Sequence, residues 1–120
     1  MGLPKPHRLK NRQDYRAVYA QGIRRYSPHL TLIALDERRS ECLPPSTFGI
    51  SISKKVSKKA VDRNRIKRQL KGVIRTHLKG IEPGWKVVIV VKPKAIECKY
   101  EHFLRELEEL LKQTKIINGH

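Results

Sequence analysis

The sequence predicts an α/β (α+β) two-layer sandwich formed by a single domain over residues 1–120. The length of 120 residues and the hydrophobic content of 38% suit one modest core. Apolar residues recur at helical spacing in three segments, and three other segments are alternating or continuously apolar, as strands are. The predicted order is therefore α-β-β-(β)-α-β-α around one sheet, where the bracketed strand is a short additional one at residues 23–26.

The N-terminal half is predicted to begin with a helix over residues 12–20. Asn11 is placed to cap this helix, Asp14 falls at its third position, and Gly22 follows its end. The residues before it, 1–11, form a basic N-terminal arm.

Two strands are predicted next, at residues 30–35 and 47–53. The second alternates, with Phe48, Ile50 and Ile52 on one face and Gly49, Ser51 and Ser53 on the other. The charged segment 36–46 between them ends in a Pro-Pro pair, which indicates an exposed turn.

In the C-terminal half, a basic helix is predicted over residues 57–78, with Gly80 at its end. The run VVIVV within residues 85–91 indicates a strand buried on both faces. Residues 100–112 form an amphipathic helix, and residues 113–120 are predicted to be a frayed tail. The apolar face of that helix consists of Tyr100, Phe103, Leu104, Leu107, Leu110 and Leu111.

The basic helix and the loop before it hold the densest charge of the chain. Residues 54–79 contain 11 lysines and arginines against one acid, Asp62. At about 100° per residue, one stripe consists of Asn64, Arg68, Lys71, Arg75 and Lys79, and the apolar face consists of Val56, Ala60, Leu70, Val73, Ile74 and Leu78. Arg63 and Lys67 point in the direction of the apolar face, so the first two turns are predicted to project past the sheet and expose cations all round.

Such a surface predicts a polyanionic partner. A charge run is usually a solvated face, but here the acids that would balance it are missing, and like charges one turn apart repel. The whole chain carries a net charge of +16, so RNA or DNA is the expected ligand. The longest apolar run is too short to span a bilayer, and no signal peptide is visible. Cys42 and Cys98 lack metal-ligand or redox spacing, which favours free thiols in a reducing cytoplasm.

No catalytic or metal-binding constellation is visible in the sequence. The 11 acids are scattered, and the densest group, on the last helix, falls at positions typical of a solvated face. The five histidines show no ligand spacing, and His77 falls close to the apolar side of the basic helix, as a packing residue does. The prediction is that the protein has no active site and no metal site of its own.

Tyr15 and Tyr19 lie four residues apart on the first helix, and two interpretations of them stay open. Either they pack a short helix against the core, or their rings border a groove that binds unpaired bases. The basic arm, with Lys5, His7, Arg8, Lys10 and Arg12, would flank such a groove.

Three segments resemble the bacterial ribonuclease P protein component: RLKNRQDYRAVYAQG, FGISISKKVSKKAVDRNRIKRQLKGVIR and GWKVVIVVKP. The similarity covers residues 8–111, and its central signature, S-K-K followed by R-N-R-I-K-R on a helix, is long and specific. The resemblance implies a cytoplasmic ribonucleoprotein in which a catalytic RNA removes the 5′ leader of precursor tRNA. It implies Mg²⁺ held mainly by RNA, no active site on the protein, no membrane and no obligate protein partner.

The resemblance also implies two RNA-binding surfaces. On the surface for the catalytic RNA, the residues that match the family's motif are Lys54, Lys55, Arg63, Asn64, Arg65, Lys67 and Arg68. The basic run itself adds Lys58, Lys59, Lys71 and Arg75 to this surface. The surface for the substrate leader is a cleft between the first helix and the sheet, whose family positions match Tyr15, Tyr19 and Ile33, and the flanking basic arm adds Arg8, Lys10 and Arg12. Members of the family often have an aromatic residue at the position of Ile33. The isoleucine here allows apolar contact, but it weakens the prediction that a base stacks at this place. The fold implied is one mixed sheet with a left-handed βαβ crossover, whereas general physics favours the right-handed form.

Without the resemblance, a ribosomal or other structural RNA-binding protein is the leading alternative, and a non-specific DNA-binding protein is the next. Both bind nucleic acid without a catalytic partner. A free-standing basic ribonuclease would require an acid-base pair, and no such pair is visible in the sequence.

Overall fold

A computed structural model describes residues 3–37 and 43–117. Its helices and strands are α1 (Arg12–Gln21), β1 (Ile23–Tyr26), β2 (Leu30–Asp36), β3 (Thr47–Ser51), α2 (Ala60–His77), β4 (Trp85–Val91) and α3 (Tyr100–Gln113). Short 3₁₀ turns lie at Lys5–His7, Leu78–Gly80 and Pro93–Glu97. The predicted order is confirmed, and the additional strand is β1. Most of the predicted turn between β2 and β3, including Cys42, lies outside the described residues.

The four strands form one mixed sheet in the order β1-β2-β4-β3. β2 pairs antiparallel with both β1 and β4, while β3 pairs parallel with β4. The apolar strand β4 therefore lies inside the sheet, and its buried residues confirm the prediction from the VVIVV run. The parallel pair β3 and β4 is joined through α2. The left hand of this crossover stays a prediction.

Alternate residues of the strands form two separate cores. On one face, Leu32, Phe48 and Ile89 pack against α2 and α3 in the main core. On the other face, Ile33 and Val88 pack against Val18 of α1 in a smaller core. The sheet with α2 and α3 makes the two predicted layers, and α1 adds a partial third layer. Because α1 is short, it leaves part of its sheet face uncovered.

Local contacts fix α1 on that face. The side chain of Asn11 accepts a hydrogen bond from the Gln13 N–H at 3.3 Å, which confirms the predicted cap. At the other end, a Cβ on Gly22 would lie 2.7 Å from Ile33 Cγ2, so only glycine permits this approach to β2. An ion pair of 2.9 Å joins Lys86 of β4 to Asp14 of α1.

The basic helix differs from its prediction in three respects. α2 begins at Ala60, three residues later than the predicted start at residue 57. Ala60 itself is exposed and does not join the apolar face. Ile66, absent from the predicted face, is fully buried. α2 therefore packs into the main core from its second turn, and the prediction that two turns project past the sheet is wrong for the second of them.

The described residues near both chain ends pack against the rest of the fold. Leu3 and Leu9 are buried, and the Leu9 N–H donates to the Phe48 carbonyl at 3.0 Å, so the basic arm lies along β3. After α3, Lys115 adopts a φ of 62° and the chain turns back. Ile116 is then fully buried, and Ile117 forms a bridge with Ile81. The prediction of a frayed tail is wrong for residues 114–117, and residues 118–120 lie outside the described part. Among the described residues, no helix has the length and apolarity needed to cross a membrane.

Candidate nucleic-acid interface

The loop between β3 and α2 presents four lysines to solvent. They are Lys54, Lys55, Lys58 and Lys59. The hydroxyl of Ser53 accepts from the Lys55 N–H at 3.2 Å, and the hydroxyl of Ser57 accepts from the Lys59 N–H at 3.1 Å. Serine side chains that bond the backbone in this way compete with helix formation. They explain why α2 starts only at Ala60.

Asp62 and Arg63 tie this loop to α2. The Ser57 hydroxyl donates to Asp62 Oδ2 at 2.9 Å, and Arg63 Nη1 donates to the Ser57 carbonyl at 2.8 Å. Asp62 lies in the first turn of α2, where the helix dipole favours a carboxylate. Asp62, the one acid of the basic segment, therefore fixes the loop to α2. The Arg63 guanidinium also fixes the loop, through one of its nitrogens.

Along α2, a buried face and a polar stripe separate as predicted. The buried face consists of Ile66, Leu70, Val73 and Ile74. Asn64, Arg68 and Arg75 are exposed, while Lys67 and Lys71 are half-buried. Arg68 and Arg75 have no resolved side-chain partner among the residues that the structure describes, so their guanidinium donors face solvent. They are the arginines of α2 best placed for phosphate oxygens.

Arg65 has a different role from the one predicted for a surface cation. Its guanidinium donates to the carbonyls of Ile96 at 3.1 Å and Cys98 at 3.3 Å, and to the Gln69 side chain at 3.1 Å. These contacts tie α2 to the segment that leads into α3. The spacing of Arg65 on α2 did not indicate these contacts, because an arginine off the apolar face can still bond a neighbouring backbone.

A cleft opens where Tyr15 of α1 crosses β3. The ring lies over Gly49, and a Cβ at that position would collide with the Tyr15 hydroxyl. Burial raises the pKa of the Tyr15 phenol, and the neighbouring Tyr19 raises it further. The phenol therefore stays neutral at physiological pH and can donate a hydrogen bond.

The cleft continues into a cavity of about 250 Å³ between the N-terminal arm, β3 and α2. Its polar lining consists of Arg8, Lys10, Tyr15, Lys67 and Lys71. The sequence assigned Lys67 and Lys71 to the catalytic-RNA surface and the other three to the leader surface. The structure brings residues of both sets around one cavity, so the two surfaces are contiguous.

The remaining residues of the leader prediction lie at different depths. Arg12 is exposed at the start of α1, and Tyr19 keeps 38% of its surface exposed one turn beyond Tyr15. Ile33 is 0% exposed and packs beneath α1 with Val18. A direct contact between Ile33 and a leader is therefore not available in this structure, and Ile33 supports the cleft from below.

Comparison with known proteins shows the family of the chain. The family profile described as Ribonuclease P matches residues 3–115. The chain belongs to the ribonuclease P protein family. The match includes the cleft, the loop and the whole of α2.

Two curated relatives support this membership over 95% or more of their length. The ribonuclease P protein component of Microcystis aeruginosa is 59% identical over 120 residues, which cover 100% of both chains. That of Rippkaea orientalis is 54% identical over 121 residues, which cover 100% of this chain and 95% of the relative. A solved structure of the Staphylococcus aureus RNase P protein superposes with a TM-score of 0.82 at 25% identity, covering 93% of this chain and 98% of that one.

Membership in the ribonuclease P family settles the kind of activity. The chain is the protein subunit of ribonuclease P, an endoribonuclease of tRNA processing, and its partner is the ribonuclease P RNA. The ribosomal and DNA-binding alternatives are therefore set aside. The family also accounts for the strongly cationic surface, since the partner is an RNA.

One cluster of side chains was not predicted from the sequence. Glu106 of α3, predicted to lie on a solvated face, has only 13% of its side chain exposed. It accepts hydrogen bonds from Ser27 Oγ at 2.6 Å, the His29 N–H at 2.9 Å and His29 Nδ1 at 2.7 Å. Burial alone would raise the pKa of Glu106, but these hydrogen bonds outweigh it and leave the pKa lowered. The three partners are 77 or 79 residues from Glu106 in sequence, so no local spacing could reveal them.

Three other described carboxylates pair with nearby basic side chains. Asp14 and Glu37 pair with Lys86, and Glu108 pairs with Lys112 and His77. Within residues 3–37 and 43–117, the converging cluster of potential metal ligands is Glu106 with His29 and Cys98. Mg²⁺ prefers an all-oxygen shell, so this donor set does not fit it.

Proposed function

We propose that this subunit binds the 5′ leader of precursor tRNA in the cleft beside Tyr15 while the β3–α2 loop and the exposed stripe of α2 bind the catalytic RNA. The reaction takes place in the cytoplasm, with Mg²⁺ held mainly by RNA. The observation that carries the proposal is the cavity of about 250 Å³ in which a half-buried phenol is surrounded by Arg8, Lys10, Lys67 and Lys71.

The two surfaces suit different forms of RNA. Unpaired bases stack on aromatic rings, and their backbone phosphates bind nearby cations. A folded RNA instead offers a dense phosphate surface, for which the exposed lysines of the loop and Arg68 and Arg75 are suited. Because Lys67 and Lys71 lie at the boundary, a leader leaving the cleft passes directly beside the RNA bound on α2.

Reconstitution tests the proposal as a whole. The purified protein is mixed with a ribonuclease P RNA and a precursor tRNA, and the cleavage site and magnesium dependence are mapped with and without protein. We expect the protein to lower the magnesium requirement and to increase affinity for precursors with a leader of several nucleotides. Equal affinity for long and one-nucleotide leaders in the presence of protein would contradict the leader assignment.

Tyr19→Ala is expected to weaken binding of long-leader precursors without weakening holoenzyme assembly. A base stacked on a ring contributes roughly 1–3 kcal/mol, and the 38% exposed ring of Tyr19 is available for such a contact. Dissociation constants for the reconstituted holoenzyme, measured with long and one-nucleotide leaders, provide the test.

Tyr26→Ala is the matched control for this comparison. Tyr26 is 64% exposed, but it lies beside α3, away from the cleft, with the Lys92 ammonium 5.7 Å from the centre of its ring. We expect this variant to bind both precursors as the wild type does. If the two tyrosine variants lose affinity for the long leader to the same extent, the ring of Tyr19 has no specific role in leader binding.

Gly49→Ala is expected to displace the Tyr15 ring from its place over β3. The added methyl group would collide with the end of the Tyr15 side chain, which can rotate away, so the fold should persist. Affinity for a long leader should then fall about as far as it does in Tyr15→Ala, and the double variant should lose little more. Binding assays on the three variants measure this. Additive losses would show that Gly49 acts on the leader independently of Tyr15.

A further inference from the structure

Three potential metal ligands converge between the β1–β2 turn and the start of α3. A ring nitrogen of His29, Cys98 Sγ and a Glu106 carboxylate oxygen all lie within 4.8 Å of one another. They come from three separate parts of the chain: the turn before β2, the segment before α3, and the second turn of α3. None of them belongs to the cleft or to the cationic surface described above.

The carboxylate of Glu106 is already oriented for a ligand. Its Oε1 accepts from Ser27 Oγ at 2.6 Å and from the His29 N–H at 2.9 Å, which fixes the carboxylate plane. Its Oε2 is left to the His29 ring at 2.7 Å. Hydrogen bonds to the second oxygen of a ligating carboxylate are the usual support of a metal site.

The site is buried on one side and open to solvent on the other. Cys98 is 5% exposed at the edge of the main core. The side chains of His29 and Glu106 are 29% and 13% exposed. Both of these residues line an open cavity of about 510 Å³ between the β1–β2 turn and α3. An ion can therefore enter through the cavity, and a water molecule can complete its coordination from there.

We infer that His29, Cys98 and Glu106 bind one transition-metal ion of the zinc class. Imidazole, thiolate and carboxylate are the ligand types that Zn²⁺ takes, whereas a thiolate is foreign to Mg²⁺ and Ca²⁺. Around a tetrahedral zinc, ligand atoms are about 3.3–3.7 Å apart, as follows from bond lengths of about 2.0–2.3 Å. Binding of the ion requires the His29 ring and the Glu106 carboxylate, now 2.7 Å apart, to separate to that spacing.

Binding releases one proton and joins three elements. The thiol proton of Cys98 passes to solvent, the neutral His29 ring keeps its proton on the nitrogen that does not bind the ion, and the dipositive ion neutralises the thiolate and the carboxylate. The metal then clamps the β1–β2 turn to α3. Arg65 of α2 donates a hydrogen bond to the Cys98 carbonyl. The bound ion therefore also restricts the motion of the segment before α3 that Arg65 contacts.

Cobalt spectroscopy on the full-length, untagged, chelator-treated protein tests this inference. Co²⁺ is added under reducing conditions, and the thiolate-to-cobalt charge-transfer band and the visible bands of four-coordinate cobalt are followed. We expect saturation at one equivalent and displacement by one equivalent of Zn²⁺. One equivalent of Zn²⁺ should also raise the melting temperature.

The variants identify the ligands. Cys98→Ser should abolish the charge-transfer band, and Glu106→Gln, which retains the shape of the side chain, should weaken cobalt binding at least tenfold. Cys42→Ser, the matched change at the chain's other cysteine, should behave as the wild type, and circular dichroism checks the folding of each variant. The inference is overturned if the wild type shows no charge-transfer band, if the band survives in Cys98→Ser, or if folded Glu106→Gln binds cobalt as tightly as the wild type.

Discussion

A fourfold rise in salt, from about 50 to about 200 mM, is expected to weaken binding of the catalytic RNA by about 10³–10⁵-fold, as for about 6–10 neutralised phosphates. The exposed cations of the loop and α2 make this number of contacts available. They are Lys54, Lys55, Lys58, Lys59, Arg68 and Arg75, with Lys67 and Lys71 half-buried beside them. Each phosphate that they neutralise releases condensed counterions, and added salt opposes that release.

Dissociation constants across a salt series at constant magnesium give the number of contacts from the slope of the log–log plot. Removing one exposed cation, as in Lys58→Ala, should reduce the slope by about one contact or less. A nearly flat plot for the wild type would exclude phosphate contacts as the main source of affinity.

Arg68→Ala and Arg65→Ala are expected to fail in different ways. Arg68 is exposed, so its loss should weaken assembly with the catalytic RNA by roughly 1.5–3 kcal/mol, the contribution of a charge-assisted contact, and leave stability unchanged. Arg65 bonds two carbonyls in the segment before α3. Its loss should lower the free energy of unfolding by about 1–3 kcal/mol, because those carbonyls lose their partner.

Thermal unfolding and RNA-binding assays on the same preparations separate the two effects. Lysine substitutions sharpen the comparison, because lysine keeps the charge but lacks the planar fork of arginine. Arg68→Lys should restore much of the RNA affinity, whereas Arg65→Lys should remain destabilised. If Arg65→Ala unfolds at the wild-type temperature and Arg65→Lys recovers RNA affinity, then Arg65 acts on RNA and its contacts to Ile96 and Cys98 are incidental.

Several parts of the fold followed from local patterns in the sequence. The alternation of residues 47–53 predicted β3, the run VVIVV predicted the interior strand, and three-and-four spacing predicted α3. Each of these patterns reflects which side of an element faces the core, and that information lies within a few neighbouring residues. The excess of cations was equally visible, because composition does not depend on the fold.

The sequence did not reveal contacts whose partners lie far apart along the chain. Arg65 lies on the polar side of α2 by its spacing, yet it bonds carbonyls 31 and 33 residues away. Glu106 lies on the apparent solvent face of α3, yet it holds a turn 77 residues before it. Backbone carbonyls are present at every residue, so such partners leave no signature in the sequence.

The sequence by itself determined the helices and strands, the charge of the RNA surface and the family, since each is recorded in residue type and short-range spacing. Only the tertiary structure decided that Lys67 and Lys71 share a cavity with Tyr15, that Gly49 makes room for its ring, and that Ile33 is buried. These contacts join elements that are distant in sequence. They form when β3 pairs with β4 and α1 packs on the face of the sheet opposite to α2. Such contacts depend on the order of the strands in the sheet and on the packing of the helices. Residue spacing along the chain does not encode either of them.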